Sequence, residues 1–253
     1  MAALEQHSGN LPDRQLHDRR DTAWEEIEAG QVRSPADAIR MAGRFISACN
    51  EADAGVVRSL LGVARYRLKG HWIWAHPGTR IRGLENLQTR GLLKIGIDYA
   101  DIAHPEDKTW LRIDGQMSVG ARCKIGRGSR IHVGGGATVR WGNGVWTNTG
   151  VLVHVSRGLF IGDDCLLGWN TQFVDDNFHT VASAGIRPAP TAGEIRIGNR
   201  VWVGNHAMIG RGVQIADGCV VAAGSVVTRP ILEPGSLIAG VPARVIRTGV
   251  EWY

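Results

Sequence analysis

Four cysteines in 253 residues, at positions 49, 123, 165 and 219, are too few and too scattered for a disulfide framework, and no C-x-x-C pair offers half of a structural zinc centre. No apolar run approaches the roughly 18 residues of a membrane span. The stretch from Met1 to Arg20 is polar and charged where a secretory leader would be apolar, and it is expected to be disordered. These absences fit a reducing, cytoplasmic setting. Proline is also sparse, at 9 residues, whereas glycine reaches 34. So much glycine without Ser- or Gln-rich stretches predicts tight turns at regular intervals, and hence a repeat. With 43% hydrophobic and 21% charged residues the chain can bury one core and carry an appendage. The net charge of +5 and pI near 9.3 favour an anionic ligand. A phosphorylated cofactor answers that description, and no nucleic-acid partner is expected.

The repeat has a period of six. Aliphatic residues, usually followed by Gly, recur at Val119, Ile125 and Ile131, slip by two, and continue at Val133, Val139, Val145 and Val151. They restart at Ile161, Leu167 and Phe173, then run through Ile197, Val203, Ile209, Ile215, Val221 and Val227. Ile81, Leu87 and Leu93 keep the spacing more faintly, so the array is expected to begin near Trp72. Four places after an aliphatic slot stands a small residue, as at Cys123, Ser129, Ala137, Thr171, Ala207, Cys219 and Ser225. This is the pattern of short strand, turn, short strand, with one aliphatic side chain inward per strand. Three strands close one coil of a triangular β-solenoid. Cys123, Cys165 and Cys219 fall in the small-residue slot and read as packing residues, not as nucleophiles or ligands.

The run IGNRVWVGNHAMIGRGVQIADGCVVAAGSVVTRPI, continued by LIAGVPARVIR at 237–247, resembles the hexapeptide-repeat acyltransferases, and within them the sugar and polysaccharide O-acetyltransferases. The resemblance covers about Trp72 to Arg247. It implies a mainly β fold, a left-handed parallel β-helix, and a homotrimer as the working assembly.

Residues 1–70 lie outside the repeat and read as a helical N-terminal extension, 71–247 as the β-helix domain with a protruding loop at 180–194, and 248–253 as a tail. Ser34-Pro35 with Asp37 is a helix start: cap, first helical position and acid in the first turn. A second helical pattern spans about Asp53 to Leu68 and mixes Val56, Val57, Leu60, Leu61 and Val63 with Arg58, Arg65, Arg67 and Lys69. A basic amphipathic helix can rest on an anionic membrane surface. The favoured reading is an end cap on the solenoid or a subunit contact.

Six residues beyond Phe173 stands His179, in FVDDNFHT, an imidazole where an inward aliphatic residue was due and directly before an irregular loop. On residues alone it is either a solvated loop histidine or a reactive group. The segment IGDDCLLGWNTQFVDDNFHTV is similar to the one that carries the catalytic His of the family, and His179 is the matching residue. Transfer of an acyl group from a thioester to a hydroxyl needs a base of near-neutral pKa, which imidazole supplies. Asp175 and Asp176 are the nearest carboxylates that could orient the ring, neither ranking above the other. With the cysteines in packing slots and no nucleophile-elbow Ser, direct transfer in a ternary complex is expected, with no acyl-enzyme.

The resemblance further implies acetyl-CoA, or another acyl-CoA, as co-substrate. Asn205 matches the position at the thioester end, its backbone N–H meeting the developing oxyanion. Ala223 matches the pantetheine path, and Thr228, Arg229, Arg244 and Arg247 match positions near the adenine and phosphates. Asn148, in TNTG, matches an Asn that hydrogen-bonds the acceptor sugar. His154 and Trp169 are near in sequence but weakly placed, and Trp202 reads as a packing or interface residue. The opening segment of the small-sugar enzymes is missing, so the acceptor stays open, a polysaccharide or lipid-linked saccharide being favoured.

Two other classes compete. Zinc hydratases resembling γ-carbonic anhydrase share the fold, but their paired histidines lie five apart, whereas His132, His154, His179 and His206 are separated by 22, 25 and 27 residues. No metal is therefore expected. A non-catalytic scaffold is opposed by the intact His179, Asn205 and C-terminal arginines. N-acylation of an amino sugar would use the same base and donor site as O-acylation.

Overall fold

The computed structural model describes residues 34–97, 103–104, 106–182, 184 and 190–253. The stretch expected to be disordered and much of the protruding loop lie outside them. The described residues fall into two units, 34–44 with Tyr253, and those within 45–252. Helix α1, Pro35–Glu51, starts as its sequence predicts: the Ser34 hydroxyl accepts from the Asp37 N–H at 3.2 Å and donates to the Asp37 carboxylate at 2.7 Å. In the second unit, Phe45 at the helix's far end stacks on Trp74 at 4.7 Å. Helix α2, Val56–Leu68, lies against the first strand, and its Tyr66 packs against the core as an end cap does. Val57, Leu60 and Leu61 on the same helix remain exposed.

The rest of the unit is the expected β-solenoid, mainly β and left-handed. The first four coils are β1 to β3 (Ile73–Ala75, Arg80–Arg82, Leu87–Thr89), β4 to β6 (Leu93–Ile95, Trp110–Ile113, Gln116–Val119), β7 to β9 (Cys123–Ile125, Arg130–Val133, Thr138–Trp141) and β10 to β12 (Trp146–Thr147, Leu152–Val155, Gly158–Ile161). The next three are β13 to β15 (Leu166–Leu167, Gln172–Val174, Ile195–Ile197), β16 to β18 (Trp202–Val203, Met208–Ile209, Gln214–Ile215) and β19 with β20 (Val220–Val221, Val226–Val227). Two closing strands follow, β21 (Leu237–Gly240) and β22 (Ala243–Arg247). Every third strand pairs in parallel, giving three faces: A from β1, B from β2 and C from β3. Among the strands of the described residues only β22 turns back, antiparallel to β21.

Alternation sets which side chain goes where. In β8 Ile131 and Val133 are buried while Arg130 and His132 point out, and β11 repeats this with Val153 and Val155 against Leu152 and His154. The inward residues form one continuous core from Ile73 to Ala243. The repeat differs from the expected register in the middle. In coils two to four the strands of faces B and C reach four residues and bury two side chains each, so the inward positions that align with Ile125 and Ile131 are Thr147 and Val153. Val145 and Val151, though buried, hold the small-residue slot instead.

Close stacking of coils depends on glycine at the corners. A Cβ on Gly126 would lie 2.2 Å from the Asn148 carbonyl oxygen. At the corner between faces C and A a side-chain ladder joins coils: Asn143 accepts from the Ala121 N–H, Asp163 from Asn143, Asn199 from Asp163 and Asp217 from Asn199, at 2.7 to 3.0 Å. The cysteines behave as packing groups. Cys123 and Cys165 donate to the carbonyls of Gly142 and Gly198, and burial pushes their thiols up to about 11 and about 12.

Candidate active site

His179 does not occupy an inward slot. After Phe173 the chain runs Val174 outward and Asp175 inward, then leaves the coil. Ile197 fills the core position that the count of six assigned to His179. The excursion has a defined stem: Asp176 bridges Ala192, the Asn177 N–H donates to Thr191 at 2.9 Å, and the Gly193 N–H donates to the Asp175 carbonyl at 2.8 Å. The Asp176 carboxylate accepts from the Phe178 N–H at 2.8 Å, holding Phe178 at φ +61°, a left-handed conformation costly for a bulky residue. The next residue is His179, exposed, at the corner between faces B and C.

Asp175 has a structural engagement that its place in the sequence did not suggest. It is fully buried, and its carboxylate accepts three backbone N–H groups, of Ser156 at 2.7 Å, Arg157 at 2.7 Å and Gly158 at 2.8 Å. Those bonds tie the corner of coil four to the loop stem and engage both carboxylate oxygens. The Asp176 carboxylate, engaged with Phe178, shows no bond to the His179 ring.

The other predicted residues fall into three places. Asn148, Trp169, Asn205 and Ala223 stack on successive coils at the corner between faces A and B. There the Asn205 side-chain oxygen accepts from the Trp169 N–H at 3.0 Å, and its carbonyl accepts from Gly224 at 2.8 Å. The backbone N–H of Asn205 has no hydrogen-bond partner among the described residues. Thr228 and Arg229 are exposed just after β20, on the same corner as His179 but two coils further on. Arg244 and Arg247 are exposed on β22, opposite Ala239 and Leu237. Face B therefore lies between His179 on one edge and Asn148, Asn205 and Ala223 on the other. Trp202 projects from face A, with its ring centroid 6.3 Å from that of Trp252.

Face B also carries a cluster that the sequence reading passed over. His132 and His154 sit directly opposite each other on β8 and β11, with His132 Nδ1 3.0 Å from His154 Nε2. His132 Nε2 lies 3.4 Å from the Asp114 carboxylate, which also accepts from Arg112 at 2.7 Å. The Phe178 ring closes the other end, edge-on to His154 at 4.9 Å. Burial, then the neighbouring His132, holds the His154 imidazole below its usual range, despite the opposing pull of Asp175 and Asp176. Burial would raise the Asp114 carboxyl, but Arg112, His132 and Arg82 together hold it low. The signal for this pair was the separation of 22 residues, which is the coil length there. Among the described residues no group of three or more His, Cys, Asp or Glu converges as a metal would require. On face C, beside the loop stem, a cavity of about 770 Å³ is lined by Arg140, Arg157, Arg196, Phe160 and Gly193. Among the described residues no helix is long and apolar enough to cross a membrane.

Comparison with known proteins agrees with this architecture. Residues 194–229 match the family described as bacterial transferase hexapeptide (six repeats). An uncharacterized 24.8 kDa protein in the cps region of Klebsiella pneumoniae is 31% identical over 208 residues, 81% of this chain and 92% of that protein. Among solved structures, the polySia-specific acetyltransferase NeuO superposes with a TM-score of 0.52 at 20% identity, covering 72% of this chain and 83% of the other. The polysialic acid O-acetyltransferase OatWY gives a TM-score of 0.46 at 20% identity, over 72% and 90%.

Proposed function

We propose that this chain, which belongs to the hexapeptide-repeat acyltransferase family, transfers an acetyl group from acetyl-CoA to a hydroxyl of a saccharide, with His179 as general base. The observation that carries this reading is that each chain presents two features suited to acyl transfer at separate corners of the solenoid. One is an exposed imidazole on a hydrogen-bonded loop stem; the other is the Asn205 N–H, unpartnered among the described residues on the opposite edge. The names borne by the relatives with this fold support the same class of reaction, since NeuO is an acetyltransferase of polysialic acid.

In this mechanism the His179 imidazole takes the proton of the acceptor hydroxyl as its oxygen attacks the thioester carbonyl carbon. The Asn205 N–H donates to the oxyanion of the tetrahedral intermediate. The C–S bond then breaks, and the imidazolium returns the proton to the departing sulfur, leaving the acetyl ester and the free thiol of CoA. Asn148 holds the acceptor. Ala223 leaves room for the pantetheine arm, and Thr228, Arg229, Arg244 and Arg247 meet the adenine and phosphates. The family resemblance implies a homotrimer, in which His179 of one chain faces the Asn205 edge of a neighbour.

Release of CoA thiol in the presence of saccharide acceptors tests the proposal. His179→Ala should lower kcat by about 10²- to 10⁴-fold while leaving acetyl-CoA binding unchanged. Turnover that survives the substitution, an acetylated protein intermediate, or a fully active monomer would each overturn it.

A further inference from the structure

The outer side of face B changes character along the solenoid. In its upper coils Leu152, Gln172, Met208 and Val226 form one uncharged row. In the lower coils the same row reads Arg80, Trp110 and Arg130, and the row beside it reads Arg82, Arg112, His132 and His154, all in direct register. Arg82 and Arg112 are therefore cross-strand neighbours, an arrangement of like charges that weakens a sheet. Asp114 answers part of this charge through Arg112 and His132. Arg80, Arg82 and Arg130 are exposed and form no direct salt bridge among the described residues, Arg82 acting on Asp114 only at longer range. Between Arg80 and Arg130 stands Trp110, 49% exposed in the middle of a sheet.

Four guanidinium groups around an open indole on a flat surface match one kind of ligand. Sugar rings lay their C–H faces on an aromatic plane, and guanidinium forks pair with carboxylates. The row continues without a break to the reacting end: His132 bonds to His154, the Phe178 ring packs on His154, and His179 follows Phe178 in the chain. Arg82 lies three strand steps from His154, roughly 14 Å at about 4.8 Å per strand. A single sugar at His179 would not reach that far.

We infer that the acceptor is an acidic oligosaccharide or polysaccharide, with carboxylates on its sugar rings, that runs along face B from the Arg80, Arg82, Trp110, Arg112 and Arg130 patch to His179. This rests on the proposed acetyl transfer and names its substrate class. Trp110 stacks a ring, the arginines hold carboxylates on residues distant from the one acetylated, and the chain length is read by the distance between patch and base. A neutral glycan gains only the stacking contact.

The test measures binding of three oligomers of matched length, sialic acid, galacturonate and dextran, to the full chain and to Arg82→Ala/Arg130→Ala and Trp110→Ala. Arg82 and Arg130 are chosen because neither holds a direct salt bridge among the described residues, and circular dichroism verifies that each variant is folded. The acidic oligomers should bind at least 10-fold tighter than dextran and weaken steeply with salt. The double arginine variant should lose 10-fold or more of that affinity, and Trp110→Ala should weaken all three. Acetyl-CoA binding should be unchanged in every variant. Equal binding of dextran and the acidic oligomers, or acidic binding untouched by the arginine substitutions, overturns the inference and leaves acetyl transfer standing. A change of sedimentation behaviour in the arginine variant would make the patch a contact between copies and likewise overturn it. Failure of the wild-type chain to bind acetyl-CoA would instead strike the proposed reaction.

Discussion

Replacing Asp175 should damage the fold far more than the chemistry, and the size of the damage follows from its three bonds. Asp175→Ala removes the acceptor of the Ser156, Arg157 and Gly158 N–H groups together. A buried donor left without a partner costs about 1–3 kcal/mol. Gly158 is buried and bears that cost in full, whereas Ser156 is half-buried and Arg157 exposed, so water replaces part of what they lose. The total comes to about 3–5 kcal/mol. In a domain of this size that corresponds to a fall in melting temperature of roughly 10 °C. Asp175→Asn retains one acceptor oxygen but turns an amide N–H₂ toward the remaining donors, so it should be almost as harmful. The assay pairs thermal unfolding with the pH profile of kcat at a temperature where both variants are folded. A loss below about 1 kcal/mol accompanied by a shifted kcat profile would refute the reasoning, because that is how a carboxylate orienting His179 would behave.

Other outcomes follow from the same geometry. All four cysteines are buried with raised thiol pKa, Cys165 to about 12, so native protein at pH 8 should resist iodoacetamide for hours and take up four labels once denatured, as read by intact mass. Rapid labelling of native protein would contradict the packing role of those slots. His76 and His154 are both held below the usual imidazole range, chiefly by burial, so the unfolded chain binds more protons than the folded one. Stability should therefore decline as pH falls below about 6.5, and a His76→Gln/His154→Gln variant should lose less melting temperature than wild type between pH 8 and pH 5; parallel curves would refute this. A Cβ on Gly83, at φ +80°, would sit 2.0 Å from the Ile113 carbonyl oxygen, so Gly83→Ala should cost about 3 kcal/mol in urea unfolding, and a neutral substitution would show that the first two coils can separate locally.

The upper solenoid was legible from spacing because strands β16 to β20 are two residues long and send one side chain each into the core, so the count of six from Ile197 to Val227 meets no interruption. The start of α1 was legible because Ser34, Pro35 and Asp37 act locally. Coils three and four misled the count: their four-residue strands each hide two apolar residues, and a fixed step of six lands on Val145 and Val151 instead of Thr147 and Val153. Asp175 was assigned by its nearness to His179, yet simple alternation from Phe173 already turned it inward. His132 and His154 were set aside as unpaired because their separation was weighed against a metal-ligand spacing and not against the length of a coil. The long-range bonds of Asp175 to coil four could not have been read in the sequence at all, since they depend on how closely the preceding coil brings Ser156.

The unequal strand lengths give the solenoid a way to be resized. Partners on adjacent coils are 22 residues apart at Lys124 and Trp146, 20 at Thr147 and Leu167, and 18 at Val203 and Val221. These steps differ by two, and two is the period of a strand, so adding or removing a pair of residues widens or narrows a face without exchanging its inner and outer sides. A four-residue strand displays two outward side chains where a two-residue strand displays one. The end of the prism with the long strands can thus change the width and chemistry of its outer surface by paired insertions while the short-strand end keeps its dimensions. One chain can in this way couple a fixed tool to an adjustable grip.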